Sequence, residues 1–254
     1  MFKSTCVLLL PAALVLVLGL PSASCAPGHK APALPHIHGA ANLPQPPAGS
    51  KLLHIALGFG IQNYTCAGVG EPPAATGALA VLYDITSLYP GQTRESLSQK
   101  DWDHLPSRAL WSHEVPLNLN HSAAGRVERT SPGASQTRPF PAEAPLRLRG
   151  MRRPLPFLGH HLFTSAGVPN FILDNGRVNV LCGKMAGVSA PRAADRGPQG
   201  TGAVPWLQLD AKDGSVGRVK YVYRVLTTGG NSHGCSEVAG QDSTCYATMY
   251  WFFG

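Results

Sequence analysis

The chain has few charged and few aromatic residues, and this scarcity excludes several classes of protein. Charged residues make up 14% and aromatic residues 7% of the chain, whereas an average soluble domain has about 25% charged residues. Long charged helices and coiled coils are therefore excluded. No C-x-x-C pair occurs, so no structural zinc site of the usual spacing is predicted. No apolar run beyond residue 20 is long enough for a membrane span, so no transmembrane segment is predicted.

Glycine and proline are abundant instead, with 28 and 23 residues among 254. About ten short runs of strand length, separated by glycine- and proline-rich turns, predict an all-β fold, either a sandwich or a barrel. No window combines a period of 3.6 residues with helix caps, so no helix is predicted. The runs are 52–58, 61–66, 77–84, 108–115, 160–164, 170–173, 177–182, 204–209, 218–226 and 245–253.

The first 24 residues have the layout of a secretory signal peptide. Lys3 supplies the positive start, residues 6–20 are apolar apart from Pro11, and small residues follow. The chain is therefore predicted to be secreted, into a compartment where disulfide bonds persist. In an alternative, Cys25 is a lipidated first residue of the mature chain.

The rest of the chain is predicted to be one domain that carries a long insertion. Residues 25–50, rich in proline, alanine and histidine, are predicted to form an extended leader before a single β-rich domain at 51–254. The insertion at about 121–157 holds six prolines, seven arginines and two glutamates. A stretch of this kind is either a functional loop or disordered, and disorder is predicted.

The arginines of the insertion carry most of the positive charge of the chain, which has a net charge of +7. Secretion and the near absence of interleaved aromatic residues argue against a nucleic-acid partner. The simple interpretation is a solvated loop. The functional alternative is a weak attraction to acidic polysaccharide or membrane lipid.

Four cysteines of the predicted mature domain are candidates for disulfide bonds, and two bridges among them allow three connectivities. The short loop between Cys235 and Cys245 favours a bond between these two, which leaves Cys66 and Cys182. One bridge with two buried thiols is the alternative. Two sequons predict glycosylation at Asn63 and Asn120. Asn63 lies in a strand-like run, so the alternative for it is an inward-facing, unmodified side chain.

Two glycine motifs resemble catalytic fingerprints but lack the required context. A strand leads to Gly58-x-Gly60 as in dinucleotide-binding folds, but the proline pair 72–73 prevents the helix that must follow. The run 230–234, Gly-Asn-Ser-His-Gly, matches the nucleophile elbow of serine hydrolases, but no histidine and no predicted helix follow it. No cofactor is therefore predicted, while a triad of other chain order stays open.

The histidines do not predict a metal site. His36 and His38 lie in the leader, and His160 and His161 are adjacent on a strand, so their side chains point to opposite faces. As an alternative function, a hydrolase is considered, with a site built from His54, His160 and the turn at 62–63.

The leading hypothesis is a non-catalytic extracellular or cell-wall-associated protein that binds glycan through exposed aromatic side chains. Its partner would be a cell-wall polysaccharide or an extracellular protein, and a secreted effector acting on a host protein is a third hypothesis. For the aromatic candidates, packing in the core is the alternative. The candidate ligand-binding residues are His54, Gln62, Tyr64, His160, His161, Trp206, Tyr221 and Tyr223.

Several segments form an ordered string of motifs over residues 52–254: residues 53–66, 77–84, 159–164, 204–207, 223–230 and 246–252. This string resembles a family of secreted, mostly fungal proteins with a conserved domain of unknown function. The resemblance implies secretion and a β-rich domain, and it implies no catalytic residues. The label "malate dehydrogenase", common in that family, conflicts with the failed dinucleotide fingerprint. The chain departs from the family pattern in its insertion and in Ser87, where the resemblance implies a cysteine.

Overall fold

The computed structural model of the chain is a closed barrel of eight antiparallel strands, which confirms the all-β prediction. It describes residues 1, 31–37, 41–120, 133–237 and 239–254, so the predicted signal peptide beyond Met1 lies outside the described residues. Each strand pairs with the next in chain order, and β8 closes the barrel against β1. The strands are β1 (Leu52–Cys66), β2 (Ala74–Asp84), β3 (Phe157–Phe163), β4 (Pro169–Leu173), β5 (Val178–Val188), β6 (Trp206–Ala211), β7 (Tyr221–Gly229) and β8 (Gly240–Phe253).

The first two predicted strands are a single strand in the structure. β1 continues through Gly60, which pairs with Ala80 on one side and Tyr246 on the other. A Cβ atom at Gly60 would lie 1.8 Å from the backbone oxygen of Leu79. The glycine therefore permits a close approach of two strands, where the sequence analysis had taken it as a break.

The predicted strand at 108–115 is wrong, because these residues belong largely to a helix. The chain between β2 and β3 contains α1 (Gln99–Asp103) and α2 (Leu105–Ser112). Ser98 caps α1, since its side chain accepts a hydrogen bond from the backbone N–H of Asp101. Within the described ranges, neither helix has the length and apolar character that crossing a membrane requires.

Two apolar layers hold the barrel together. One layer draws residues from all eight strands, among them Leu82, Val180 and Phe252, and therefore fills the interior. The other combines the outward-facing residues of β1 and β8 with Trp102 and Leu105 of the helices, and so lies outside the barrel wall. β1 from Ile55 to Ile61 and β8 from Tyr246 to Phe253 are consequently buried on both faces, which explains why these parts of the two strands are almost entirely apolar.

The insertion has little regular structure, but its described part packs against the barrel. Residues 121–132 of the predicted disordered stretch lie outside the described residues. In the remainder, here called the crossing segment (133–156), Leu146, Leu148 and Leu155 are buried in the outer layer. The leader packs there as well, through Leu34, Ile37 and Leu43. The side chains that fix both segments are leucines and an isoleucine spaced among prolines, a pattern without periodicity.

Candidate functional site

The two rims of the barrel carry different polar groups. At the disulfide rim, where β1 ends, Cys66 is bonded to Cys235 with a Cα–Cα distance of 5.4 Å. The predicted bond between Cys235 and Cys245 is therefore wrong. Cys182 is a buried free thiol and Cys245 is a partly buried one, so the alternative of one bridge and two free thiols is the one found, although only one of the two thiols is fully buried. Cys245 lies within β8 opposite Ile61 of β1, so it is several residues away from the loop that carries Cys235.

A buried carboxylate organises the loop between β7 and β8 at this rim. Asp242 is only 2% exposed, and it accepts hydrogen bonds from Ser232 Oγ at 2.5 Å, the His233 backbone N–H at 2.9 Å and His233 Nδ1 at 2.7 Å. Burial raises the pKa of Asp242, but the hydrogen bonds from His233 and Ser232 outweigh burial and hold the pKa below its usual range. The serine of the Gly-Asn-Ser-His-Gly run thus donates to a carboxylate rather than to a histidine, and it lacks the arrangement of an activated nucleophile.

A cleft of about 310 Å³ opens beside the same rim, on the outer face of the barrel wall. We call it the amide cleft, because three of its lining side chains are carboxamides: Asn63 of β1, Gln136 of the crossing segment and Gln241 of β8. Hydroxyl groups of Thr76, Ser135 and Ser243 join them, together with Leu79, Leu162, Pro139, Phe163, Gly133 and Ala134. None of these described lining residues carries a charge, so the cleft offers donors and acceptors without attracting ions.

Strand alternation explains how the amide cleft is built. On β8, Gln241 and Ser243 occupy alternate positions and face outward, while Asp242 between them faces the loop. Ser243 Oγ donates a hydrogen bond of 2.7 Å to Asn63 Oδ1 on the neighbouring strand, and Gln241 Nε2 donates one of 3.1 Å to Thr65 Oγ1. These contacts fix the orientation of two carboxamides at the cleft.

Both predicted glycosylation sites are among the described residues. Asn63 is half-buried in β1 and lines the amide cleft. Asn120 is exposed just before the residues that lie outside the described ranges. Modification of either asparagine stays a prediction.

The opposite rim, here called the His54 rim, holds a histidine between two carboxylates. His54 Nδ1 lies 3.6 Å from Asp84 Oδ2, and His54 Nε2 lies 3.5 Å from Asp174 Oδ2. The carboxylate of Asp84 is the largest influence and raises the pKa of His54, although burial acts in the opposite direction. Asp84 also accepts the backbone N–H of Thr86 at 2.8 Å. His54, Asp84 and Asp174, here called the His54 triad, link β1, β2 and the turn after β4.

The histidines of β3 point to opposite faces, as predicted. His161 lies inside the barrel, stacked on Phe171 with ring centroids 4.2 Å apart, and burial lowers its pKa to about 4. His160 lies outside, with its ring 4.0 Å from that of Phe140. Both contacts are those of packed side chains.

The hydrolase site considered in the sequence analysis is not assembled. His54 lies at one rim, and Gln62 is eight residues along β1 towards the other, a separation of about 26 Å at about 3.3 Å per residue. Gln62 is buried, and within the described part of the chain its Nε2 atom has no hydrogen-bond partner. The described residues also contain no group of three or more metal-ligating side chains suited to an ion.

The four aromatic candidates do not form an exposed strip. Trp206 is 3% exposed and Tyr223 is fully buried, where Tyr223 accepts a hydrogen bond of 2.8 Å from Gln208 Nε2. Tyr64 donates its hydroxyl proton to the backbone oxygen of Gly230 at 2.7 Å, and Tyr221 is half-buried in β7. Trp206 and Tyr223 therefore pack in the core instead of being exposed for a ligand. Gln136, Gln241 and Ser243 were not predictable as site residues, because single amides and hydroxyls carry no spacing signal in the sequence.

The chain matches a known protein family over most of its length. Residues 47–254 match a family described as protein of unknown function DUF3455. No curated protein and no solved structure matches the chain. The match spans most of the chain and the whole barrel, so the chain belongs to this family.

Proposed function

We propose that this DUF3455 protein is secreted and acts outside the cell as a non-catalytic glycan-binding protein, with a neutral sugar bound in the amide cleft. The observation that carries the proposal is the chemistry of the cleft, whose carboxamides and hydroxyls bear no charge. A neutral sugar presents many hydroxyl groups, each both a donor and an acceptor, and carboxamides pair with both kinds of group.

The size and the apolar part of the cleft fit the same ligand. A volume of about 310 Å³ lies at the lower end of the range for small-molecule sites, about 300–1,000 Å³, and suits one or two sugar rings. Phe163, Leu79 and Pro139 supply apolar surface, against which the C–H face of a pyranose ring packs. The proposed glycan site is therefore this cleft of carboxamide, hydroxyl and apolar groups, and not the aromatic residues that the sequence suggested.

The disulfide supports action outside the cell. Cys66–Cys235 joins two segments that are 169 residues apart in sequence, and such bonds persist in oxidising compartments. The proposal assigns binding rather than bond cleavage to this cleft, because no carboxylate or histidine that could act as an acid or a base is among the described lining residues.

The test is calorimetric titration of the secreted chain with chito-oligosaccharides, laminari-oligosaccharides and cello-oligosaccharides. The proposal expects that at least one of these binds and that Gln136→Ala with Gln241→Ala weakens its binding about 10-fold or more, because each lost hydrogen bond costs about 1 kcal/mol. The matched control is Gln45→Ala, an exposed amide on the leader, which should leave the affinity unchanged. Equal binding by the double variant and the control would place the sugar elsewhere.

A further inference from the structure

The outer surface next to the His54 rim carries an ordered group of arginines. Here the crossing segment forms a loop, residues 146–155, that we call the arginine loop. Leu146 and Leu155 close it, since each donates a backbone hydrogen bond to the other, at 2.9 and 2.8 Å. Leu148 and Leu155 are buried beneath it. The loop is therefore anchored to the barrel at both of its ends.

The alternation of residue types decides which side chains face solvent. In the run Leu-Arg-Leu-Arg the leucines enter the outer apolar layer, so Arg147 and Arg149 are directed outward and are exposed. After the turn at Gly150, Arg152 and Arg153 are exposed as well. Four guanidinium groups thus project from one short loop whose leucines are buried.

A cleft of about 520 Å³ lies between this loop and the segment after β2. Arg152 and Arg153 line it from one side, and Arg94 lines it from the other. Ser87, an exposed hydroxyl, is part of the same lining. Arginines on two sides of a groove hold an anion more firmly than arginines on a flat surface, because the guanidinium groups converge and water is partly displaced.

The carboxylates of this cleft already have cationic or hydrogen-bond partners. Glu95 lies 2.8 Å from Arg153 Nη1, and Asp101 lies 2.6 Å from Arg108 Nη2, while Asp84 belongs to the His54 triad. In the described ranges no carboxylate lies within ion-pair distance of Arg94, Arg147, Arg149 or Arg152. Four positive charges therefore have no carboxylate partner among the described residues.

We propose that the arginine loop and its cleft bind a linear acidic polysaccharide, a polymer of uronate or sulfated sugar units. A concave cleft can hold an extended polysaccharide chain, whereas the flat surface of a membrane does not enter it. A lipid-binding loop also exposes apolar side chains that enter the bilayer, whereas the leucines of this loop point into the core. This site is separate from the amide cleft, and neither proposal depends on the other.

The test measures binding of the secreted chain to polygalacturonate and to dextran sulfate, with neutral dextran as the blank polymer. The proposal expects binding to at least one acidic polymer, no binding to dextran, and loss of binding as NaCl rises from about 0.05 to about 0.5 M, since salt screens exposed charges. The quadruple variant Arg147→Gln, Arg149→Gln, Arg152→Gln and Arg153→Gln should bind about 30-fold more weakly.

A matched variant separates the loop from the overall charge of the protein. Lys51→Gln, Arg192→Gln, Arg218→Gln and Lys220→Gln remove four exposed charges elsewhere, and this variant should keep its affinity within about 3-fold, an effect of net charge alone. Equal weakening of the two variants would overturn the proposal in favour of general attraction. Binding to vesicles that contain phosphatidylserine, without binding to either acidic polymer, would overturn it in favour of a lipid surface.

Discussion

The imidazole ring of His233 is held by Asp242, whose Oδ1 atom lies 2.7 Å from His233 Nδ1. The same carboxylate accepts the backbone N–H of His233 and the hydroxyl of Ser232. One buried side chain therefore fixes the loop that also carries Cys235, next to the rim where the amide cleft opens.

Replacing this carboxylate should loosen the loop and destabilise the fold. We expect Asp242→Asn to lower the free energy of unfolding by about 2 kcal/mol at pH 7, since its buried hydrogen bonds are charge-assisted. The folded pKa of Asp242 lies below its unfolded value, so this contribution is present above about pH 4 and is lost as the pH falls through the folded pKa. Urea denaturation at pH 7 and pH 3 measures it. Asp213→Asn, on an exposed turn, is the control, and equal stabilities of the two variants at pH 7 would contradict the account.

The His54 triad predicts the opposite dependence on pH. The pKa of His54 is raised in the folded protein, so its stabilising contribution is full below about pH 6.5, the unfolded value, and disappears as the pH rises through the folded pKa. His54→Gln should therefore cost more stability at pH 5.5 than at pH 8.5. His113→Gln, an exposed histidine at the end of α2, should show no such difference. A cost for His54→Gln that does not change between the two pH values would refute the role of the two carboxylates.

The cysteine pattern predicts which thiols react. After denaturation without reductant, alkylation should label Cys182 and Cys245 and leave Cys66 and Cys235 unmodified, as mass spectrometry of peptides would report. In the folded chain at pH 8 both free thiols should react slowly, because burial raises the pKa of Cys182 to about 12 and that of Cys245 to about 11. Labelled Cys66 in the unreduced chain would contradict the assigned bridge.

The bridge itself should stabilise the fold. Opening it by Cys235→Ser with Cys66→Ser should lower the free energy of unfolding by about 2–4 kcal/mol, because the bond closes a long loop in the unfolded chain. Cys245→Ser serves as a control for the loss of a thiol without a bridge. Urea denaturation compares the three proteins, and a double variant as stable as the unmodified chain would contradict the expectation.

The helices that cover the outer layer give a prediction about packing. Trp102 of α1 is buried with its ring 6.3 Å from that of Trp251, so Trp102→Ala should destabilise the fold by about 3–5 kcal/mol. Trp111 of α2 is 60% exposed and donates one hydrogen bond to Asp195. Trp111→Ala should therefore cost about 1 kcal/mol or less. Thermal unfolding of both variants measures the contrast, and comparable losses would mean that α1 is not docked as described.

The sequence predicted most of the strands, including the run 245–253 of the doubly buried strand β8, and it failed at glycines within a strand and at the short helix α2. The single strand β1 was divided into two because Gly58 and Gly60 read as turns, although their lack of a side chain serves close contact with Tyr250 and with β2. The strand predicted at 108–115 is largely helical, because Ala109 and Leu110 of α2 are buried against the barrel. The stability of such a short helix comes from this tertiary contact, which the sequence alone does not reveal.

The candidate sites were less predictable than the fold. The opposite orientation of His160 and His161 follows from strand geometry alone, and it was predicted. The amide cleft was not, because Asn63, Gln136 and Gln241 come from three distant segments that only the barrel brings together. The arginine loop shows the same limit, since its charge was visible in the sequence but the leucines that anchor it became recognisable only through their burial.

The central claim is that the protein binds neutral glycan without cleaving it, and sedimentation with insoluble polysaccharide tests it most directly. The secreted chain would be mixed with chitin, β-glucan and cellulose, and the pellet assayed for protein and the supernatant for released sugar. The account predicts protein in at least one pellet, no released sugar, and loss of sedimentation in the Gln136→Ala and Gln241→Ala double variant but not in Gln45→Ala. Sugar released into the supernatant, or no protein in any pellet, would contradict it.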